Sequence, residues 1–236
     1  MKFFSGNRNE NCKVETPGTF SDEEYKDIAK RLFERGLDIN NSTDNWKLEK
    51  TNSNGDTVES KYLPGVGKVF RLTAEVNFPP KKLLSEIFYN VESITRWNTS
   101  LLISKRIKMI GDDTDLVHQV TAPVAGGLVK SRDFVAVRHY ENRQGCYVAA
   151  GGSVEHPDLP ENSQYIRGVT GPGCQISKSI PGVADRCIFQ WTMNSRLNGW
   201  LPQYLVDMAS AEFLFTYIKN VRSYGDKLRE QGLMDE

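Results

Sequence analysis

The sequence predicts an α+β domain: one long antiparallel sheet with helices packed at its ends or in its curve. Three observations carry this. Segments with the period-two apolar pattern of strands follow one another without the strand-helix alternation of a parallel sheet. A capped helix precedes them, and a much longer apolar helix closes the chain. The 236 residues, 39% of them hydrophobic, are enough for one sizeable core, and no linker or internal repeat divides them. Residues 20–230 therefore read as one domain behind a flexible N-terminal segment, 1–19, which is polar and asparagine-rich.

The first helix has a clear start. Ser21 is placed as its cap, Glu24 completes a capping box, and Phe20 and Tyr25 can close a hydrophobic staple. Tyr25, Ile28, Ala29, Leu32 and Phe33 follow at helical spacing, and Gly36 is the expected stop. Strands are expected at 46–51 and 57–63 around Asn54-Gly55, a hairpin turn pair. A third runs over 68–77, with Phe70, Leu72, Ala74 and Val76 on one face. Pro79-Pro80 ends it and opens a short helix carrying Leu83, Leu84, Ile87 and Phe88; 91–97 reads as another.

Strands at 101–110 and 114–121 meet around Gly111-Asp112-Asp113, and 122–130 is a loop of glycine and small residues. Strands at 132–141 and 146–152 come next. Strands at 164–169 and 175–179 flank Gly171-Pro172-Gly173, and 186–194 alternates again. The glycine pairs Gly65/Gly67, Gly126/Gly127, Gly151/Gly152 and Gly171/Gly173 all read as turns between strands. The last helix covers 201–229. Tyr204, Met208, Ala211, Phe215, Ile218 and Val221 form one stripe, and Phe213, Leu214 and Tyr217 widen it. A surface helix needs an apolar stripe of only about 100°. The extra width means either a helix buried in a core, or one that meets protein on one side and something else apolar on another.

Thirty basic residues balance thirty acidic ones, so no charge excess favours nucleic acid. The four cysteines form no CxxC pair and are too sparse to staple the chain. They read as reduced thiols inside a cell. The N-terminal residues carry no secretory h-region, and no apolar run is long enough to be a transmembrane segment, which predicts a cytoplasmic protein. His118, His139 and His156 fit no zinc-ligand spacing and read as structural. No GxSxG elbow or P-loop is present, so no catalytic residue, metal or cofactor is expected.

Several stretches resemble the START family, the steroidogenic acute regulatory protein-related lipid transfer domains. They are Trp97-Asn98, the run from Ala125 to Val135 (AGGLVKSRDFV), Gly171-Pro172-Gly173-Cys174, and Asn198-Gly199-Trp200-Leu201-Pro202 entering the last helix. The resemblance spans about residues 20 to 230. It is greatest to the cholesterol-binding branch and the insect carotenoid-binding protein related to it. It implies a helix-grip fold: a curved antiparallel sheet wrapped around the long C-terminal helix, with an internal apolar tunnel. It also implies a carrier of one lipophilic molecule, not an enzyme, making transient contact with a membrane surface. The 122–130 loop would be the gate, with Ala125, Gly126, Gly127 and Leu128 at its centre.

Strand period then assigns candidate ligand contacts. Arg132, Phe134, Ala136 and Arg138 share a side, as do Val117, Gln119 and Thr121, and Phe189, Trp191 and Met193. On the helix, Tyr204, Met208, Ala211 and Phe215 stack one above another. The resemblance makes Arg138 a buried cavity arginine, and the position of Gln119 an acid in the cholesterol-binding relatives. Gln119 cannot neutralise a guanidinium, so Arg138 needs other acceptors: a ligand hydroxyl, a water, solvent, or an acid from elsewhere. That departure favours a hydroxylated, lutein-like carotenoid as the bound ligand. Cholesterol or another sterol is the alternative, and an interaction domain with a solid core is the alternative of another class.

Overall fold

The computed structural model describes residues 20–234; the expected flexible segment 1–19, with Cys12, lies outside the described residues. The chain runs through α1 (Asp22–Asn41), β1 (Lys47–Thr51), β2 (Thr57–Leu63), β3 (Gly67–Val76), α2 (Pro80–Phe88), a 3-10 helix at Val91–Arg96, β4 (Leu101–Ile110) and β5 (Thr114–Thr121). After a loop come β6 (Arg132–Arg143), β7 (Cys146–Ser153), β8 (Ile166–Arg167), β9 (Val169–Thr170), β10 (Gly173–Ile180), β11 (Val183–Met193), β12 (Ser195–Arg196) and α3 (Gln203–Glu230).

Nine strands form one antiparallel sheet in the order β1-β2-β3-β11-β10-β7-β6-β5-β4, and β8 adds to β6 in parallel. The sheet is curved, and its two faces are served by different helices. Alternate residues point opposite ways along each strand. Val148 and Ile176 therefore meet Phe33 of α1 on the outer face. Leu72, Ala149 and Phe189 meet α2 and α3 on the inner face. The cap of α1 is as expected: Ser21 Oγ accepts from the Glu24 N–H, and Glu24 Oε2 accepts from the Ser21 N–H at 2.7 Å. Phe20 and Tyr25 meet edge to face at 5.3 Å.

Some glycines do other work than the sequence suggests. Gly36 does not stop α1, which continues to Asn41. A Cβ there would stand 2.8 Å from the Gly173 carbonyl oxygen, so the glycine lets the helix lie directly on β10. Gly151 and Gly152 are not a turn but lie inside β7, and Gly173 opens β10. A side chain at Gly151 would overlap the Val137 carbonyl, and one at Gly173 would sit 2.6 Å from the Thr192 carbonyl oxygen. The expected strand at 164–169 is two short pieces instead. One pairs with β6 and the other with β12 in a separate two-stranded sheet.

α3 is tied across the sheet by charge. Arg222 donates to both oxygens of the buried Asp56 carboxylate at 2.6 Å each and to the Glu75 carbonyl. Asn52 donates to the same carboxylate. Burial pushes the Asp56 carboxyl upward, but the hydrogen bonds from Arg222 and Asn52 outweigh it and hold the group below its ordinary range. A carboxyl lowered by folding stabilises the fold in full above about pH 5, and the contribution drains as pH falls through the folded value. We expect Asp56→Asn to melt well below the parent at pH 7, with a loss of about 3 kcal/mol for a buried ion pair that loses one member. Thermal melts across pH should show the gap closing toward pH 3; a constant gap would refute the charge mechanism.

Candidate functional site

Between the inner face of the sheet and α3 the side chains do not fill all of the space. They leave a cavity of about 200 Å³, counted as space open to the centre of a water molecule. A single water needs only about 10–15 Å³ by that measure, so the room is for a far larger guest. The solid-core expectation fails on this point. The walls are mostly apolar: Val117 from β5, Phe134 and Ala136 from β6, Trp191 and Met193 from β11, and Ile87, Ile94 and Leu101 from the α2-to-β4 segment. Small residues keep the space open, among them Ala149 and Gly151 on β7 and Ala209 and Ser210 on α3.

One end is charged and closely hydrogen-bonded. Arg138 donates to both oxygens of Asp115, from Nε at 2.9 Å and Nη2 at 2.7 Å. Asp115 is completely buried and also accepts from Arg106 Nε at 3.1 Å. Both guanidinium groups cap the C-terminus of α2: Arg138 reaches the carbonyls of Ile87 and Phe88, and Arg106 those of Phe88 and Tyr89. That helix end carries partial negative charge, which suits two cations. Arg138 also lies over the Phe88 ring, 4.8 Å from its centroid.

The acid from elsewhere is thus Asp115, and register is the reason. In the β5–β6 ladder Asp115 stands opposite Arg138, whereas Gln119 stands opposite Phe134. Four residues of strand separate the two positions, roughly 13 Å. Gln119 lines the cavity, but its amide donates to Ser104 Oγ at 3.0 Å and not toward any charge.

Of the other expected contacts, Phe134, Trp191 and Met193 line the cavity. Phe189 shares the face of Trp191 but lies past the end of the space, wholly buried and 6.1 Å from the Tyr217 ring. The helix stripe is corrected by about half a turn. Tyr204 and Met208 are exposed, at 69% and 46%. Ala211 and Phe215 pack into the core with α2 and β3. The residues that face the cavity are Ala209, Ser210, Phe213 and Tyr217. At about 100° per residue, 209, 213 and 217 drift only slightly around the axis and form one ridge. Leu214, Ile218 and Val221 follow as a separate core face. The widened stripe was the signal: Phe213 and Tyr217 are the widening.

The 122–130 loop lies over the N-terminal part of α3. Val124 and Val129 pair across it and line the cavity, while the Ala125 N–H donates to Glu212 Oε2 at 3.2 Å. Gly126 and Gly127 take φ of 64° and 91°, the left-handed region open to glycine. Leu128 projects outward, 66% exposed. Arg132 is buried beside the loop and donates to the carbonyls of Lys130, Leu197 and Asn198, joining the loop to the turn before α3.

No group of three or more His, Cys, Asp or Glu is placed to hold a metal among the described residues. His118 is bonded to Asp133, and His139 to Thr114 and Glu141. Cys146, Cys174 and Cys187 are free thiols, and burial pushes Cys174 and Cys187 up to about 12, so they stay protonated. No described helix is long and apolar enough to cross a membrane.

Residues 33–231 match the START domain model. The chain is 34% identical over 205 residues to the rat mitochondrial steroidogenic acute regulatory protein, covering 86% of this chain and 72% of that one. The human protein of that name is 32% identical over the same length, with the same coverage. Nothing in these matches supports kinship to an insect carotenoid-binding protein. Human StAR-related lipid transfer protein 5 superposes with a TM-score of 0.79 at 19% identity, over 89% of this chain and all of that one. The cavity, the helix that closes it and these likenesses agree: the chain belongs to the START family, whose domains bind and transfer lipid and are carriers, not catalysts.

Proposed function

We propose that this protein binds one sterol molecule in the cavity under α3 and carries it between membranes. The observation that carries the reading is an apolar space, many water volumes in size, enclosed by sheet and helix. The carotenoid expectation leaned on an Arg138 without an acid. Asp115 removes that support, and the relatives named for steroidogenesis favour a sterol. Transfer of apolar surface from water contributes ~25 cal/mol per Å². A few hundred Å² of enclosed ligand therefore supplies roughly 10 kcal/mol before ordering costs. A hydrogen bond nets only about 1 kcal/mol. Burial holds the guest, and the polar groups orient it.

Exchange needs an opening, and the 124–129 loop is the proposed gate. Its glycines make few side-chain contacts, and one exposed hydrogen bond, Ala125 to Glu212, pins it to α3. Leu128, Trp200, Tyr204 and Met208 expose their side chains around this end, Trp200 at 94%. Such an apolar and aromatic rim suits brief contact with a membrane surface.

Purified protein offered cholesterol and lutein separately, stripped of free ligand and extracted, should retain cholesterol. Retention of lutein alone, seen as its structured visible band, would restore the carotenoid reading, and retention of neither would remove the carrier. Ala209→Trp should fill the space and weaken sterol binding at least tenfold with little change in melting, while Met208→Trp should bind as the parent does. Equal behaviour of the two in a fluorescent-sterol titration would mean that the cavity is not the site. Cross-linking position 125 to position 212 should slow transfer between vesicles without changing how much sterol is bound at equilibrium. Unchanged transfer rates after verified cross-linking would eliminate the gate.

A further inference from the structure

The cavity wall holds a polar group whose hydrogen bonding is incomplete. Asn98 follows the 3-10 helix at Val91–Arg96, is fully buried, and lines the cavity. Its side-chain oxygen is heavily used: it accepts from the Ser100 N–H at 3.0 Å, from Ser100 Oγ at 2.6 Å and from Asn220 Nδ2 at 3.0 Å. A backbone N–H can only donate. The Ser100 contact therefore settles which end of the amide is oxygen and which is nitrogen. The nitrogen end, Nδ2, has no hydrogen-bond partner among the described residues.

Two neighbours share its character. Tyr217 lies one turn before Asn220 on α3 and also lines the cavity. Its hydroxyl accepts from Gln175 Nε2 at 3.4 Å, which leaves its own proton to donate. Arg138 uses four of its five N–H groups on Asp115, Ile87 and Phe88, and one Nη1 hydrogen remains. These three groups, Asn98 Nδ2, the Tyr217 hydroxyl and Arg138 Nη1, each keep a hydrogen to donate. A buried donor without an acceptor destabilises the empty protein, and a guest that supplies an acceptor removes the penalty.

We propose that Asn98 makes the cavity selective for lipids whose polar end presents an acceptor oxygen, a ketone or a hydroxyl, and disfavours hydrocarbons of the same shape. This inference rests on the sterol reading above and sharpens it from a lipid class to a chemical feature of the ligand. A ketone only accepts, so it can satisfy the Asn98 donor as well as an alcohol can. A hydrocarbon leaves Nδ2 unpaired.

Cholesterol, cholest-4-en-3-one and 5α-cholestane share a ring system and tail and differ at the 3-position. Each would compete with a fluorescent sterol for the full-length protein, delivered from phosphatidylcholine vesicles. We expect the ketone to bind within about threefold of cholesterol and cholestane roughly tenfold to a hundredfold more weakly. Asn98→Asp keeps the acceptor that Ser100 and Asn220 need and removes the donor. It should lower ketone affinity at least tenfold relative to cholesterol in the same variant, because an alcohol can donate to a carboxylate and a ketone cannot. Comparing two ligands within one variant cancels any general loss of folded protein, and if the variant does not fold, the series on the parent protein decides. Equal binding of cholestane and cholesterol, the result if a retained water satisfies the amide, would overturn the inference alone. An unchanged ketone-to-alcohol ratio in Asn98→Asp would do the same. Failure of all three to compete would overturn the sterol reading and this inference with it.

Discussion

A single buried carboxylate, Asp115, makes the charged end of the cavity possible. It accepts from two guanidinium groups, and without it Arg106 and Arg138 would be part-buried cations without a carboxylate partner. Two positive groups and one negative leave one excess charge. The carbonyls at the C-terminus of α2 absorb it, because four of the hydrogen bonds from these arginines end on Ile87, Phe88 and Tyr89. The cluster therefore joins the β5–β6 hairpin to the helix that covers it. It also presents to the cavity a nearly saturated surface rather than a naked charge, which suits a neutral guest better than an ionic one.

The void itself runs against the usual tendency of protein interiors to pack densely. It persists because many of its lining residues are small. Phe189, Leu214 and Ile218 fill the space beyond one end. Ala136, Ala149 and Gly151 on the sheet and Ala209 and Ser210 on α3 line the cavity. α3 serves as both wall and core on adjacent faces of one helix. Its C-terminal half is held by Arg222 on Asp56 and Asn220 on Asn98, and its N-terminal turns carry exposed Tyr204 and Met208 beside the loop. Stability and access are thus assigned to opposite ends of the same element, consistent with a carrier that must open without unfolding.

Most strand boundaries could be read from the chain because alternation, Gly and Pro are local signals. Residues 57–63, 101–110 and 114–121 emerge as strands with the same limits in the structure. The pairing of two faces, Val117 with Gln119 and Phe134 with Arg138, was likewise legible, since a strand has only two sides. Three things were not. The glycines of β7 look like a turn because a glycine pair carries no mark of whether it bends the chain or admits a neighbouring strand. The acid of Arg138 could not be named because the resemblance pointed to position 119, a glutamine here, and period two fixes side but not partner; the partner depends on register across two strands. The cavity ridge on α3 was misplaced because an apolar helix face does not say whether its neighbour is protein or empty space.

By itself the sequence determined the α+β class, the order of elements, the cap of α1 and the sidedness of each strand, all consequences of torsion, periodicity and capping within a few residues. Only the tertiary structure decided that Asp115 meets Arg138, that Ala209, Phe213 and Tyr217 line the cavity, and that the Asn98 amide nitrogen is buried without a partner. These are relations between residues far apart in the chain. They arise from the curvature and register of the sheet, which are set when all the strands and helices pack together and not by any one segment.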